Sequence, residues 1–207
     1  MTDVFQSAPG SATFRSPLLM NSDDSAVVVI DVQQKLLPLV PGHQRIQWNI
    51  ERLIEGARIL GVAACGTEQY PKGLGPTVTA IADPLASIAM EPIASKTMFS
   101  CRQCSELFTK LSNSGVHNLL LCGIETHVCV AQTAFDLMAQ GFNIFLCVDS
   151  VGSRSPEDHD VAVRRMENCG VTITTTEAAL FEWCEQAGSE RFKSISKLVQ
   201  QAGPEAG

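Results

Sequence analysis

Three side chains able to do chemistry stand where apolar runs of this chain end. Cys129 follows the run His117 to Cys122 by way of Gly123-Ile124-Glu125-Thr126-His127-Val128, and a helix-like stretch continues from it to Gln140. A thiol in the first turn of a helix meets unpaired backbone N–H groups and the positive end of the dipole, and both favour thiolate over thiol. Free cysteines also fill cores as small apolar residues, so position alone leaves a nucleophile and a packing residue both open. Asp31 terminates Ala26-Val27-Val28-Val29-Ile30, a run apolar enough to be buried on both faces, where a carboxylate is either a cap or a base. Lys96 terminates the short extended stretch Pro92-Ile93-Ala94-Ser95 and, taken alone, reads as a solvated lysine. In an open parallel sheet, ligands bind in the crevice beyond the carboxyl ends of the strands, so three groups far apart in sequence can converge there.

Convergence gives them complementary work. A Cys129 thiolate attacks an electrophilic carbonyl, and Asp31 accepts the thiol proton. Burial raises a carboxylate pKa while a nearby ammonium lowers it, so Lys96 holds Asp31 ionised and tips the proton balance toward an activated Cys129. This scheme needs no histidine, and His127 reads as a neighbour that faces away or lines the pocket.

The elements that must position these groups alternate along the chain. Extended runs are expected at Ala26 to Asp31, Val62 to Thr67, Pro92 to Lys96, His117 to Cys122, Asn143 to Val148 and Val171 to Thr175. Helical runs are expected at Gln44 to Leu60, Cys101 to Ser114, Val128 to Gln140, Pro156 to Cys169, Glu177 to Gln186 and Arg191 to Gln201, with Gly61, Gly115, Gly141 and Gly170 placed to close four of them. The pattern predicts an α/β three-layer sandwich: a central, mainly parallel six-stranded sheet with helices on both faces and right-handed crossovers. A longer insertion from Glu68 to Met90 leaves the second strand and can overhang the site. Residues 1–25 read as a flexible lead-in, 26–201 as one folded domain and 202–207 as a tail.

Composition bounds the alternatives. The chain has 207 residues, 45% apolar and 18% charged, which suits a single globular domain. A net charge of -7 and a pI near 5.1 provide no general electrostatic footprint for nucleic acid. The eight cysteines are scattered rather than spaced as a disulfide scaffold and read as reduced thiols. Cys101 and Cys104 have CxxC spacing without a second pair, and the histidines supply no finger-like spacing, so neither a metal nor any other cofactor is expected. No apolar run is long enough to span a bilayer. The lead-in, with Arg15 as its single basic residue against Asp3, Asp23 and Asp24, makes a poor mitochondrial presequence, so the cytoplasm is the expected compartment and the mitochondrion the weaker alternative.

The segments Val29-Ile30-Asp31-Val32-Gln33, Ser95-Lys96-Thr97-Met98-Phe99 and Gly123 to Val130 resemble, in order and spacing, the three signatures of the isochorismatase-like cysteine hydrolases. The resemblance spans Ala26 to Trp183. Thr67 to Thr77 adds similarity to the isochorismatase domain-containing branch, some parasite members of which carry a mitochondrial ribonuclease label. The resemblance implies a catalytic Asp31, Lys96 and Cys129, an oxyanion hole from the backbone N–H groups of Glu125 and Cys129, and a cis bond between Ile124 and Glu125. It places Gln33, Gln69, Tyr70, Phe99, Thr126 and His127 as pocket-lining candidates. It also implies homo-oligomers, for which Phe181, Trp183, Phe192 and Leu198 are interface candidates unless they belong to the protomer's own core. The chain lacks the metal-binding Asp-x-His pair of nicotinamidases, and it keeps a cysteine where true isochorismatases have a small residue. The expected reaction is therefore C–N hydrolysis of a small amide, ureide or carbamoyl compound, with Lys72 a candidate for attracting an acidic group. A silent binding or scaffold protein and a ribonuclease remain the alternatives.

Overall fold

The computed structural model describes residues 15–204. Among them, six strands pair in the order β3-β2-β1-β4-β5-β6, every pair parallel. They are β1 (Ser25–Ile30), β2 (Ala63–Gln69), β3 (Ala94–Lys96), β4 (Asn118–Ile124), β5 (Asn143–Gly152) and β6 (Thr172–Thr174). The central strands β1 and β4 are buried along their whole length, as continuous apolar runs in a sheet covered on both faces should be.

Alternate side chains of each strand feed two cores. Val27 and Val29 of β1 join Leu120 and Cys122 of β4 under helices α1 (His43–Leu60), α3 (Thr79–Ala86), α7 (Thr176–Cys184) and α8 (Glu190–Val199). Val28 and Ile30 join Leu119 and Leu121 under α4 (Ser105–Asn113), α5 (Ala131–Ala139) and α6 (Pro156–Asn168). Each such buried aliphatic side chain contributes about 1.5–3 kcal/mol relative to exposure. Gly61, Gly115, Gly141 and Gly170 all take positive φ just past a helix.

The structure departs from the sequence reading in several places. The stretch from Cys101 is a 3-10 turn (Cys101–Cys104) before α4 begins, because the Ser100 hydroxyl accepts the Arg102 N–H and tightens the entry. The stretch before α5 is a π-helical turn, Thr126–Val130, closed by Val130 N–H to Glu125 O at 3.2 Å. The insertion after β2 folds into the four-residue α2 (Pro71–Leu74) and α3, and it is tied back by the bridge between Gln33 and Thr77. β5 runs on to Gly152 past an irregularity in its register with β4.

The first fourteen residues of the lead-in lie outside the described residues, as do the last three of the tail. The rest of the lead-in is anchored: Met20 is buried, its N–H bonds Glu182 Oε2 at 2.9 Å, and Arg15 donates to the Glu182 carbonyl at 2.6 Å. Trp183 and Leu198 belong to the core, whereas Phe181 is exposed and Phe192 half-buried. Among the described residues no helix is long and apolar enough to cross a membrane.

Candidate active site

Asp31 leaves β1 with φ of 53°, a left-handed conformation that short polar side chains tolerate better than most. Its N–H bonds the Thr67 carbonyl at 3.1 Å, and its carboxylate accepts from Thr67 Oγ1 at 2.9 Å and from Lys96 Nζ at 2.6 Å. Both side chains of this ion pair are wholly buried. The Lys96 ammonium places its other two donors on Gln69 Oε1 and the Phe99 carbonyl, each at 2.9 Å, so all three are used. Burial works against this charge, but Asp31 together with the nearby sulfurs of Cys101 and Cys129 outweighs it and leaves Lys96 above the ordinary lysine pKa. Removing either partner strands a buried charge, which costs about 3–5 kcal/mol.

Gln69 is fixed in turn. Its Nε2 donates to the Thr97 carbonyl and its N–H to Gln33 Oε1, both at 2.8 Å. Gln33 Nε2 donates to the Gln69 and Gly75 carbonyls at 3.0 and 2.6 Å. The two amides thus brace the insertion against Lys96. Tyr70 and Phe99 are each 53% exposed, and their backbones hold Lys96 from both sides: Tyr70 N–H to the Lys96 carbonyl at 2.8 Å, and the Phe99 carbonyl to Nζ. Lys72 is exposed on α2.

Cys129 lies in the π-helical turn, 5% exposed. Burial pushes its thiol far above the ordinary range and the Asp31 charge adds to this, while Lys96 opposes both. The resting group is therefore a thiol. Desolvation of the buried sulfur thus opposes what the start of a helix returns. Cys101 sits beside the same charges, with Sγ 3.5 Å from Thr67 Oγ1, and burial pushes its thiol up to about 11. It and Cys104 are both free thiols.

Close backbone approach sets the spacing between the Asp31 and Cys129 arms. Gly123 has φ of 115°, and a Cβ there would stand 2.0 Å from the Ile30 carbonyl oxygen. The bond between Ile124 and Glu125 is cis. From it hang three consecutive side chains with partners on the loop joining β5 to α6 or in the first turn of α6. The Glu125 carboxylate accepts from Arg154 N, Nε and Nη2 at 3.0, 2.9 and 3.2 Å. Thr126 Oγ1 lies 2.9 Å from His159 Nδ1, and His127 Nδ1 lies 2.9 Å from Ser153 Oγ. Burial raises the Glu125 carboxyl, but the Arg154 bonds outweigh it and hold it below the usual range. Sequence reasoning gave Ser153, Arg154 and His159 no role in the site, since polar residues just ahead of a helix and in its first turn read as solvated.

A cleft of about 690 Å³ borders this loop, lined by Arg45, Asp149, Ser153 and His159 among others, and Asp31, Lys96 and Cys129 do not line it. Among the described residues no group of three or more His, Cys, Asp or Glu side chains is arranged to hold a metal ion.

Comparison with known proteins places this architecture. An isochorismatase domain profile matches residues 25–178. The chain is 35% identical to isochorismatase domain-containing protein 2 of Danio rerio over 91% of its length and 93% of the relative's. It is 38% identical to a solved Caenorhabditis elegans protein named MAR1 ribonuclease, with a TM-score of 0.82 over 91% of this chain and 96% of that one. The Escherichia coli YcaC gene product, described as an octameric hydrolase of unknown specificity, shares the fold at 20% identity and a TM-score of 0.79, over 89% of this chain and 92% of that one.

Proposed function

The chain belongs to the isochorismatase family, and on that premise we propose that it is a cysteine hydrolase of small amides, ureides or carbamoyl compounds. The observation that carries the reading is the fully buried Asp31–Lys96 ion pair beside the Cys129 thiol. A buried charge pair is a weak stabiliser of a fold, so a second use for it is the better account.

Each step keeps its atoms and protons. Cys129 Sγ attacks the substrate carbonyl carbon as the thiol proton passes to Asp31. The negative charge moves to the carbonyl oxygen, where the backbone N–H groups of Glu125 and Cys129 receive it, each such donor worth about 3 kcal/mol. Collapse breaks the C–N bond, and Asp31 returns its proton to the leaving nitrogen. Water then attacks the thioester with Asp31 taking its proton, and the departing thiolate recovers that proton as the acid leaves. Lys96 stays bonded to the Asp31 carboxylate and balances its charge between steps, beside a thiol whose burial makes it hold its proton more tightly. No metal or cofactor enters the scheme.

The test is ammonia release from a panel of small primary amides, ureides and carbamoyl compounds by wild type and by Cys129→Ala. Release that survives in the Ala variant would exclude the covalent route, and a panel without release from wild type would favour a binding or scaffold role. The ribonuclease name of the Caenorhabditis elegans relative supports a second reading. A net charge of -7 argues against it, because phosphodiester binding draws on clustered basic side chains. Salt-dependent binding of a single-stranded RNA probe would bring it back. The octameric description of the YcaC protein supports a homo-oligomer here, read by sedimentation.

A further inference from the structure

We propose that the loop joining β5 to α6, together with the first turn of α6, is a positioning clamp for the turn that receives the oxyanion, with Arg154, His159 and Ser153 as its three jaws on Glu125, Thr126 and His127 respectively. This rests on the hydrolase reading of the same site.

The bonding pattern is the ground for it. Three residues in a row, beginning at the cis bond, each spend their side chain on one short stretch, the loop after β5 or the first turn of α6. Thr126 is wholly buried, and its hydroxyl has His159 Nδ1 as its one hydrogen-bond partner among the described residues. The jaws are themselves rooted. The Ser155 hydroxyl caps α6 by accepting the Asp158 N–H at 3.2 Å, the His159 N–H bonds the Ser155 carbonyl at 3.1 Å, and Ala162 and Met166 of α6 are buried in the core. The clamp therefore transmits the rigidity of a packed helix to the N-terminal half of a turn whose C-terminal half is already held by the core packing of Cys129 and Val130. Donors to an oxyanion work only when they are aimed before the charge appears, to within about half an ångström.

Arg154 has a second effect. A Glu125 carboxylate beside a developing oxyanion opposes it by like-charge repulsion, and pairing with the guanidinium at 2.9 Å offsets that charge. The three jaw residues act through the turn and touch neither the sulfur nor the attacked carbon.

Two probes of Cys129 separate this role from general damage. Acylation by p-nitrophenyl acetate passes through an oxyanion, whereas alkylation by iodoacetamide displaces iodide at a saturated carbon and does not. Thr126→Val and Arg154→Met should slow acylation by about tenfold or more while leaving alkylation within about twofold, and Thr126→Ser should restore acylation. Equal slowing of both reactions, or no slowing of either, would overturn the clamp. Amide hydrogen exchange over residues 124–130 gives a readout independent of substrate. Exchange about tenfold faster in Thr126→Val and Arg154→Met supports the clamp, and unchanged exchange overturns it. A wild type that is alkylated but never acylated sinks the hydrolase reading instead, and the exchange experiment still decides whether the clamp exists.

Discussion

Two aspartates near the carboxyl edge of the sheet are built from nearly the same parts and end up doing different things. Asp31 accepts a threonine hydroxyl, from Thr67 at 2.9 Å, with the buried thiols of Cys101 and Cys129 close by. Asp149 accepts a threonine hydroxyl, from Thr176 at 3.0 Å, and the buried thiol of Cys147 at 3.2 Å. Only Asp31 has a lysine. Asp149 instead gathers its bonds on one oxygen, including the Thr176 N–H at 2.9 Å, so it ties the first turn of α7 to β5. The Arg52 guanidinium acts on it at coulombic range without forming an ion pair. Residue types alone therefore fail to separate a joint from a candidate reactive centre. The separating feature is a cation with every donor committed, placed beside a sulfur that keeps its proton.

Substitutions made in pairs break or sharpen this contrast. Cys129→Ala should lower amide turnover by at least about a thousandfold, whereas Cys147→Ala should leave it within about twofold. Equal losses in the ammonia assay would dissolve the distinction. Next in size, Lys96→Met should destabilise the fold by about 3–5 kcal/mol, because Asp31 is left buried and unpaired. Asp149→Asn should cost about 1–3 kcal/mol and leave iodoacetamide alkylation of Cys129 unaltered. Denaturant titration of the two variants orders them.

Asp31→Asn removes a charge that pushes the Cys129 thiol up, so alkylation at about pH 8 should speed up about tenfold while amide turnover falls. Slower alkylation would mean that Asp31 activates the sulfur even toward a saturated carbon. A further effect concerns pH. Burial raises the thiols of Cys65, Cys101, Cys122, Cys129 and Cys147, so the folded state holds these protons more tightly than the unfolded chain. That contribution is fully present below about pH 9, the unfolded thiol range, and is lost as pH rises, with Cys101 titrating at about 11. Denaturation midpoints from about pH 8 to 11 should fall steadily, and a flat profile would contradict the burial of these sulfurs.

Much of the architecture was legible because burial on both faces leaves a plain mark. Val27 to Ile30 and Leu119 to Cys122 are uninterrupted apolar runs, and the glycines after α1, α4, α5 and α6 punctuate them. What escaped had no periodic signature. α2 is a single turn and α3 carries Pro84, so neither stood out in the insertion. The 3-10 and π-helical turns share the composition of the helices they precede and differ only in which carbonyl each N–H reaches. In the candidate site, Asp31, Lys96 and Cys129 were visible as polar interruptions at strand ends. Gln33 and Gln69 came as pocket-lining candidates from the resemblance, while the bonds by which they brace the insertion join residues far apart in the chain and leave no mark in the sequence. Arg154 and His159 were missed because their partners lie 29 and 33 residues away.

The left-handed backbone at Asp31 carries a practical consequence for ligand hunting. Asparagine is the side chain that accepts this conformation most nearly as aspartate does, and its carbonyl can still receive the Thr67 hydroxyl or the Lys96 ammonium. It cannot carry a proton to a leaving nitrogen. The backbone that excludes most replacements at this position therefore leaves one that keeps the local hydrogen bonds while stranding the Lys96 charge at a cost in stability, and on the hydrolase reading that chain would hold its compound and stall, a bait with which to fish an unknown metabolite out of a cell extract.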